Sequence, residues 1–237
     1  MIPLHDDNPT EITPYVTLGL IVLCTLVFFA ELAAGPGQER MVYSLGLIPS
    51  VLFGHRELAP ALALVPPVMT LVTSMFLHGG WMHLIGNMLY LWIFGNNVED
   101  AMGHGRFTLF YLLCGLAAAM AQALSHPDSD LPMIGASGAI SGVLGAYVLL
   151  YPHARVLVMI PIGFLLQTVS LRAVWVLGFW FLMQVLSSAL EKGQGGGVAF
   201  GAHIGGFVAG LLLVPLFKQR HVRLLQPPHP DDGRDAW

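Results

Sequence analysis

Four apolar runs constrain the fold of this chain more than any other feature of its sequence. They occupy residues 15–32, 107–124, 172–190 and 198–217. Each is close to the roughly 20 residues that an α-helix needs to cross the hydrocarbon core of a bilayer. Of the 237 residues, 10% are charged and 55% are hydrophobic, a balance that is unusual for a soluble domain. We therefore expect an integral membrane protein with one domain.

Two shorter apolar segments complete the set of predicted transmembrane helices. Residues 82–94 carry His83 and Asn87, and residues 137–151 begin with a run of small residues. Counting both segments as spans predicts an all-α membrane protein whose six-helix transmembrane bundle covers residues 15–217.

Two further apolar segments contain prolines and are predicted to lie at the membrane interface or to re-enter the membrane. Residues 58–77 contain three prolines, and residues 157–169 contain Pro161 and Gly163. Proline removes a helix hydrogen bond that lipid cannot replace. The first segment belongs to a long outer connection, residues 34–80, which is too apolar for a flexible linker. We expect this first outer loop to be partly membrane-associated.

The distribution of basic residues predicts the orientation of the helices, because Lys and Arg are enriched on the cytoplasmic side. With both termini in the cytoplasm, the cytoplasmic set is Arg106, Arg155, Arg172, Lys218, Arg220, Arg223 and Arg234, and the outer set is Arg40, Arg56 and Lys192. Residues 1–14 are then a cytoplasmic segment, and residues 218–237 a cytoplasmic tail that is predicted to be disordered. No organelle-targeting pattern is visible, so a bacterial cytoplasmic membrane is the expected location.

Three polar residues lie at the same predicted depth in the membrane. His83, Ser137 and His203 each stand fourteen positions before the point where their segment reaches polar or basic sequence. At ~1.5 Å per helical residue, each is ~21 Å from the cytoplasmic end of its helix. That level is several ångströms below the outer surface of a ~30 Å core. An ionisable group at this depth is costly and is therefore a candidate for function.

Ser137 and His203 form a candidate catalytic pair. Ser137 lies in a glycine-rich stretch, and His203 precedes Gly206 and Gly210. Small residues let membrane helices approach closely, so the two side chains are expected to meet. A neutral imidazole is suited to take the proton of a serine hydroxyl. Considered alone, Ser137 has the alternative role of a small residue at a helix-packing contact. No Asp or Glu is securely placed to orient His203, so a third catalytic residue is not identified from the sequence.

His83 and Asn87 are candidates for stabilising negative charge on a reacting carbonyl oxygen. They are four residues apart on one helix face, and the backbone N–H of Ser137 is a third candidate donor. The alternative is a hydrogen-bonded cluster that holds the helix ends together. His78 and His83 lie on different faces of a helix unless His78 belongs to the preceding turn, and no Cys or carboxylate accompanies them. We therefore predict no metal and no cofactor.

These motifs together resemble the rhomboid family of intramembrane serine proteases. The matching sequences, in chain order, are His78-Gly79-Gly80-Trp81-Met82-His83 followed by Asn87, then Gly135-Ala136-Ser137-Gly138, then Ala202-His203 with Gly206 and Gly210. The resemblance implies that Ser137 is the nucleophile and His203 the general base. It also implies an oxyanion hole formed by His83, Asn87 and the Ser137 backbone N–H, with supporting roles for Gly135, Gly138, His78, Gly206 and Gly210.

The sequence departs from the family pattern at two places. Ser141 stands where members often carry an aromatic residue that stacks on the catalytic histidine. The first outer loop also lacks the tryptophan-arginine pair that many members have there. Glu99 with Gly103 does fit the family, where this pair looks structural.

The resemblance implies that the protein is a serine endopeptidase with a Ser-His dyad. Its implied substrates are proteins with transmembrane helices, and no nucleic-acid partner is expected. Residues 193–197 are a candidate lid over the site, or else a plain surface loop. One rival is a catalytically silent family member that binds transmembrane helices as an adaptor or chaperone. A second rival, a transporter, is disfavoured because the chain shows no internal repeat.

Overall fold

The computed structural model describes residues 1–162, 165–190 and 199–228. In chain order, the strands and α-helices of these residues are β1 (Ile2–Asp6), α1 (Tyr15–Ala33), α2 (Gln38–Leu45), α3 (Pro49–Leu52), α4 (Thr70–Thr73), α5 (Trp81–Met102), α6 (His104–Ser125), α7 (Ser137–Leu150), β2 (Arg155–Ile162), β3 (Leu165–Arg172), α8 (Ala173–Leu190) and α9 (Phe200–Phe217). The candidate lid at residues 193–197 lies outside the described residues, as do residues 229–237.

The prediction of a mostly helical membrane fold is confirmed. Within the described residues, the four helices α1, α6, α8 and α9 are long and apolar enough to cross a bilayer. A fifth candidate joins Pro67–Phe76 to α5 across a bend of 81°, the geometry of a broken span or a re-entrant loop. Helix α7 has 14 residues and is ~21 Å long, shorter than a full crossing. The count of six spans stays a prediction.

Helix α7 lies at the centre of the bundle and packs against α5, α6 and α9. All its residues from Gly138 to Tyr147 are buried, and many of them are small. A methyl group on Gly206 of α9 would overlap the carbonyl oxygen of Gly138, and one on Gly210 would overlap that of Gly142. Helix α9 therefore lies directly against the backbone of α7, as close as two membrane helices can pack.

Glu99 ties the start of α1 to the junction between α5 and α6. Its carboxylate accepts hydrogen bonds from the backbone N–H of Val16 at 2.9 Å and of Thr17 at 2.8 Å, and lies 2.6 Å from Nδ1 of His104. The first N–H groups of a helix have no acceptor within that helix, so a carboxylate there satisfies them. Gly103 has φ 76°, a left-handed conformation that suits glycine, and lets the chain turn from α5 into α6.

A small antiparallel sheet, in the order β1-β2-β3, joins the first residues of the chain to two strands that follow α7. Residues 157–162 and 165–169 belong to the antiparallel strands β2 and β3, a conformation that the sequence does not predict, while the interfacial or re-entrant placement of residues 157–169 stays a prediction. A short apolar run with several β-branched residues fits a strand as well as a helix, and periodicity alone does not separate the two. Pro161 lies beyond the part of β2 that pairs with β1, so its missing N–H breaks no bond on that side. The fold is thus mostly helical with one sheet, rather than all-α.

The first part of the C-terminal tail packs against the bundle. The backbone N–H of Leu225 donates to the carbonyl of Leu149 at 2.8 Å, and that of Gln219 donates to the carbonyl of Ala101 at 2.8 Å. Hydrogen bonds thus connect residues 218–226 to the bundle, whereas the sequence predicts a disordered tail from residue 218. The apolar character of Val222 and Leu224, which pack on the core, explains the difference.

The first long connection, residues 34–80, contains the short helices α2, α3 and α4 and is tied to the loop that precedes α7. Leu47 and Met133 form an antiparallel bridge with backbone hydrogen bonds of 3.0 and 2.7 Å. The Ser50 hydroxyl also donates to the carboxylate of Asp130 at 2.7 Å. This connection consequently helps to fix the chain that leads to Ser137.

Candidate active site

Ser137 is the first residue of α7, so its N–H belongs to the turn whose N–H groups have no acceptor within the helix. Gly135, two residues earlier, has φ 122°, which a residue with a side chain rarely adopts. Its N–H donates to the carbonyl of Ser74 at 2.9 Å, and this bond anchors the turn. Ser137 is half-buried.

The imidazole of His203 lies against the hydroxyl of Ser137. His203 is in the first turn of α9, and its Nε2 is 2.8 Å from Oγ of Ser137. This is the distance of a hydrogen bond, so an unprotonated Nε2 is placed to accept the hydroxyl proton. The contact depends on the close packing of α9 on α7, because His203 is one turn from Gly206.

Two residues of α8 hold the other side of the His203 ring, and neither is predicted from the sequence. Oε1 of Gln184 is 2.8 Å from Nδ1 of His203. The Trp180 ring lies 5.7 Å from the His203 ring, centroid to centroid, at an angle of 39°. Trp180 and Gln184 are four residues apart and share one face of α8. That spacing is visible in the sequence, but the sequence does not show which residues of α8 face α9.

Ser141 packs in the contact between α7 and α9 and bonds within its own helix. A Cβ on Gly206 would lie 3.3 Å from Cβ of Ser141, so Ser141 lies at the close contact between α7 and α9. The Ser141 hydroxyl turns back to donate to the carbonyl of Ser137 at 2.6 Å. The aromatic ring beside His203 is supplied by Trp180 from α8 instead.

His83 and Asn87 of α5 face Gly135 with donors available. The N–H of Gly79 donates to Nδ1 of His83 at 3.3 Å, which leaves the hydrogen of a neutral ring on Nε2. A Cβ on Gly135 would lie 2.6 Å from that Nε2 and 3.7 Å from Nδ2 of Asn87. Nδ2 of Asn87 is buried without a hydrogen-bond partner. Two donor nitrogens thus lie close to Gly135, beside the turn that carries Ser137, where only a residue without a side chain fits.

His78 lies just before the start of α5, and its side chain packs against that of His83. It is fully buried, and its ring contacts that of His83 with the centroids 5.1 Å apart. Its backbone N–H faces the buried carboxylate of Glu31, with N–O distances of 3.2 and 3.3 Å. The carboxylate of Glu31 therefore accepts the hydrogen bond of a backbone N–H in the turn that precedes α5.

The structure gives no sign of a metal site among the residues it describes. In that part of the chain, no three His, Cys, Asp or Glu side chains are grouped so that they could hold a metal ion. Cys24 and Cys114 are buried and free. The chemistry available here is that of a hydroxyl, an imidazole and hydrogen-bond donors.

Comparison with known proteins agrees with this geometry. Residues 66–220 match the Rhomboid domain. The chain is 32% identical over 201 residues to Rhomboid protease GluP of Bacillus subtilis (strain 168), covering 84% of this chain and 35% of that protein. It is 31% identical over 149 residues to Rhomboid protein 1, mitochondrial, of Saccharomyces cerevisiae (strain ATCC 204508 / S288c), covering 60% of this chain and 40% of that protein.

The chain therefore belongs to the rhomboid family and is an integral membrane protein. A further relative, RHOMBOID-like protein 5 of Arabidopsis thaliana, is 30% identical over 150 residues, which cover 60% of this chain and 42% of that protein. The chain spans less than half the length of each of these three relatives.

Proposed function

We propose that this protein is an intramembrane serine endopeptidase that hydrolyses peptide bonds in or near the transmembrane segments of other membrane proteins. The observation that carries the proposal is the 2.8 Å contact between Oγ of Ser137 and Nε2 of His203. Membership of the rhomboid family and the names of relatives such as Rhomboid protease GluP support the reaction class.

The proposed reaction begins with attack of the Ser137 hydroxyl on the carbonyl carbon of the scissile peptide bond. His203 takes the hydroxyl proton at Nε2 as the new C–O bond forms. The proton then passes to the nitrogen of the leaving amine as the C–N bond breaks, which leaves an ester on Ser137. His203 next removes a proton from water, and the resulting attack releases the carboxylic acid and returns the proton to Ser137.

Negative charge on the carbonyl oxygen would be stabilised by the donors beside Gly135. Nε2–H of His83 and Nδ2–H of Asn87 lie close to this residue, and the Ser137 N–H lies at the start of α7, where the helix dipole favours an anion. A buried amide without a partner costs about 1–3 kcal/mol of stability. The unpaired Nδ2 of Asn87 therefore supports a role in binding a transient anion.

The two ends of the bundle support an orientation with the site toward the exterior or periplasm and both termini in the cytoplasm. Ser137 is at the start of α7, whereas the tail and the sheet lie by its other end, where Leu225 bonds to Leu149. That end carries most of the basic residues, namely Arg106, Arg155, Arg172, Lys218, Arg220 and Arg223. A cysteine at Asp128 and one at Arg223 should be labelled by an impermeant reagent from opposite sides of a bacterial inner membrane. Labelling of both from one side would contradict the orientation.

A cleavage assay with a purified transmembrane reporter tests the function. Wild type should cut the reporter, while Ser137→Ala and His203→Ala should not. Ser125→Ala and His126→Ala are matched controls, because these exposed residues carry the same side chains away from the site. Failure of wild type to cut the reporter would favour the competing function of a catalytically silent binder of transmembrane helices, and equal cutting by wild type and Ser137→Ala would exclude Ser137 as the nucleophile.

A further inference from the structure

Gln184 occupies the place that an acidic residue has in a catalytic triad, on the far side of the histidine from the serine. We propose that Gln184 is a positioning residue that holds His203 in the tautomer with hydrogen on Nδ1. A neutral amide would thus perform the orienting role of the missing carboxylate. The proposal rests on the Ser137–His203 dyad of the proposed function and extends it to a third residue.

The orientation of the Gln184 amide follows from its two neighbours. Its Nε2 lies 3.4 Å from the backbone carbonyl oxygen of Trp180, one helical turn earlier. A carbonyl oxygen accepts hydrogen bonds and cannot donate them, so the NH₂ group belongs on that side of the amide. The oxygen Oε1 consequently faces His203, at 2.8 Å from Nδ1.

This orientation fixes the tautomer of His203. Oε1 is an acceptor, so Nδ1 must carry the hydrogen of the neutral imidazole. Nε2 is then the basic nitrogen, and it is the one that lies 2.8 Å from the Ser137 hydroxyl. All the hydrogen bonds of this chain then donate in the same direction. The Ser137 hydroxyl donates to His203, His203 donates to Gln184, and Gln184 donates to the backbone carbonyl of Trp180 in α8. With the opposite tautomer, Nε2 would present a hydrogen to Ser137 and could not take its proton.

An amide suits this position better than a carboxylate because of where the site lies. His203 is 9% exposed and is carried by an apolar helix. An ionised carboxylate buried there would need compensating partners, whereas an amide oxygen is far less costly to bury. When His203 is protonated during the reaction, the bond from Nδ1 to Oε1 becomes charge-assisted and stronger. Gln184 thereby also favours the charged form that the reaction needs.

The decisive variants change the acceptor and keep the bulk of the side chain. In Gln184→Leu, kcat for reporter cleavage should fall by at least about 10-fold, as expected for one charge-assisted hydrogen bond, with KM nearly unchanged. Gln184→Glu keeps an acceptor and should retain most of the activity at high pH. Its carboxylate would stabilise the imidazolium, so the acidic limb of the kcat/KM profile should move to higher pH. Ser187→Ala removes another half-buried polar side chain from the same helix and should match wild type.

A spectroscopic measurement separates this proposal from the proposed function. In protein labelled with ¹⁵N-histidine, the His203 signals, identified by their loss in His203→Ala, should show the Nδ1–H tautomer in wild type and a mixture in Gln184→Leu. This result does not depend on cleavage. A kcat of Gln184→Leu within twofold of wild type, or a tautomer unaffected by the substitution, would overturn the role of Gln184. Cleavage by Ser137→Ala at the wild-type rate would overturn the Ser137–His203 dyad. The effect of Gln184 on the tautomer of His203 would still be decided by the spectroscopic result.

Discussion

The Tyr147 hydroxyl donates a hydrogen bond of 2.6 Å to the carboxylate of Asp6 and so joins strand β1 to the central helix α7. Burial raises the pKa of Asp6 from its ordinary value of 3.8 to about 7, although the bond from Tyr147 opposes the shift. Asp7 adds to the increase through the repulsion of its own charge. The first residues of the chain are therefore held by a carboxyl group whose charge changes near neutral pH.

Docking of β1 should weaken as the pH rises. The pKa of Asp6 is higher in the folded protein than in the unfolded chain, so the protonated form favours the folded state. The loss of stability begins near pH 3.8 and is complete above about pH 7. Hydrogen exchange of residues 2–6, corrected for the intrinsic rate, should be faster at pH 8 than at pH 5.5. Asp6→Asn keeps an acceptor for Tyr147 and should remove the pH dependence of the exchange. If the pH dependence persists in this variant, a group other than Asp6 causes it.

The close packing of α9 on α7 predicts a strong effect of one methyl group. In Gly206→Ala the new Cβ would overlap the carbonyl of Gly138, so the helices must separate and carry His203 away from Ser137. A displacement of about 1 Å is expected to lower kcat/KM by about 100-fold. Gly19→Ala is the matched control, because a Cβ at this helix position has nothing within 4 Å. Equal activities of the two variants would show that the contact is not needed.

Asn87→Ala should reduce turnover without unfolding the protein. The substitution removes a donor that has no partner in the structure, so no internal hydrogen bond of Nδ2 is lost with it. We expect kcat to fall by up to ~10²-fold, the usual range for a single oxyanion-hole donor. Thermal unfolding of the variant should match that of wild type, and Asn96→Ala on the same helix should retain activity. Unchanged turnover in Asn87→Ala would make Asn87 a structural residue.

The sequence predicts the helical part of this fold well because apolar length is a direct requirement of the membrane. The glycines before Ser137 and after His203 also indicate the two helices that meet. The β2–β3 hairpin is harder to predict, because residues 157–169 are too short and too apolar for their period to separate strand from helix. The packing of residues 218–228 depends on contacts between distant parts of the chain, such as Leu225 with Leu149.

The residues around His203 are likewise predicted only in part from the sequence. Ser137, His83 and Asn87 stand in recognisable motifs, but Gln184 and Trp180 lie in an apolar run with no motif around them. Their importance arises from the rotation of α8 about its axis, which tertiary packing sets. A polar residue in a predicted span is a candidate for function, and Gln184 meets that criterion. Its partner, however, becomes visible only when the helices are placed in three dimensions.

The most direct measurement of the central claim is mass spectrometry of the protein after reaction with a fluorophosphonate, a reagent that labels activated serine hydroxyls. We predict one adduct on Ser137 in wild type, no adduct in Ser137→Ala, and labelling of Ser137 slowed by at least about 100-fold in His203→Ala, because the base at 2.8 Å is then missing. An unlabelled wild-type protein, or labelling of His203→Ala at the wild-type rate, would contradict the assignment of these two residues as nucleophile and base.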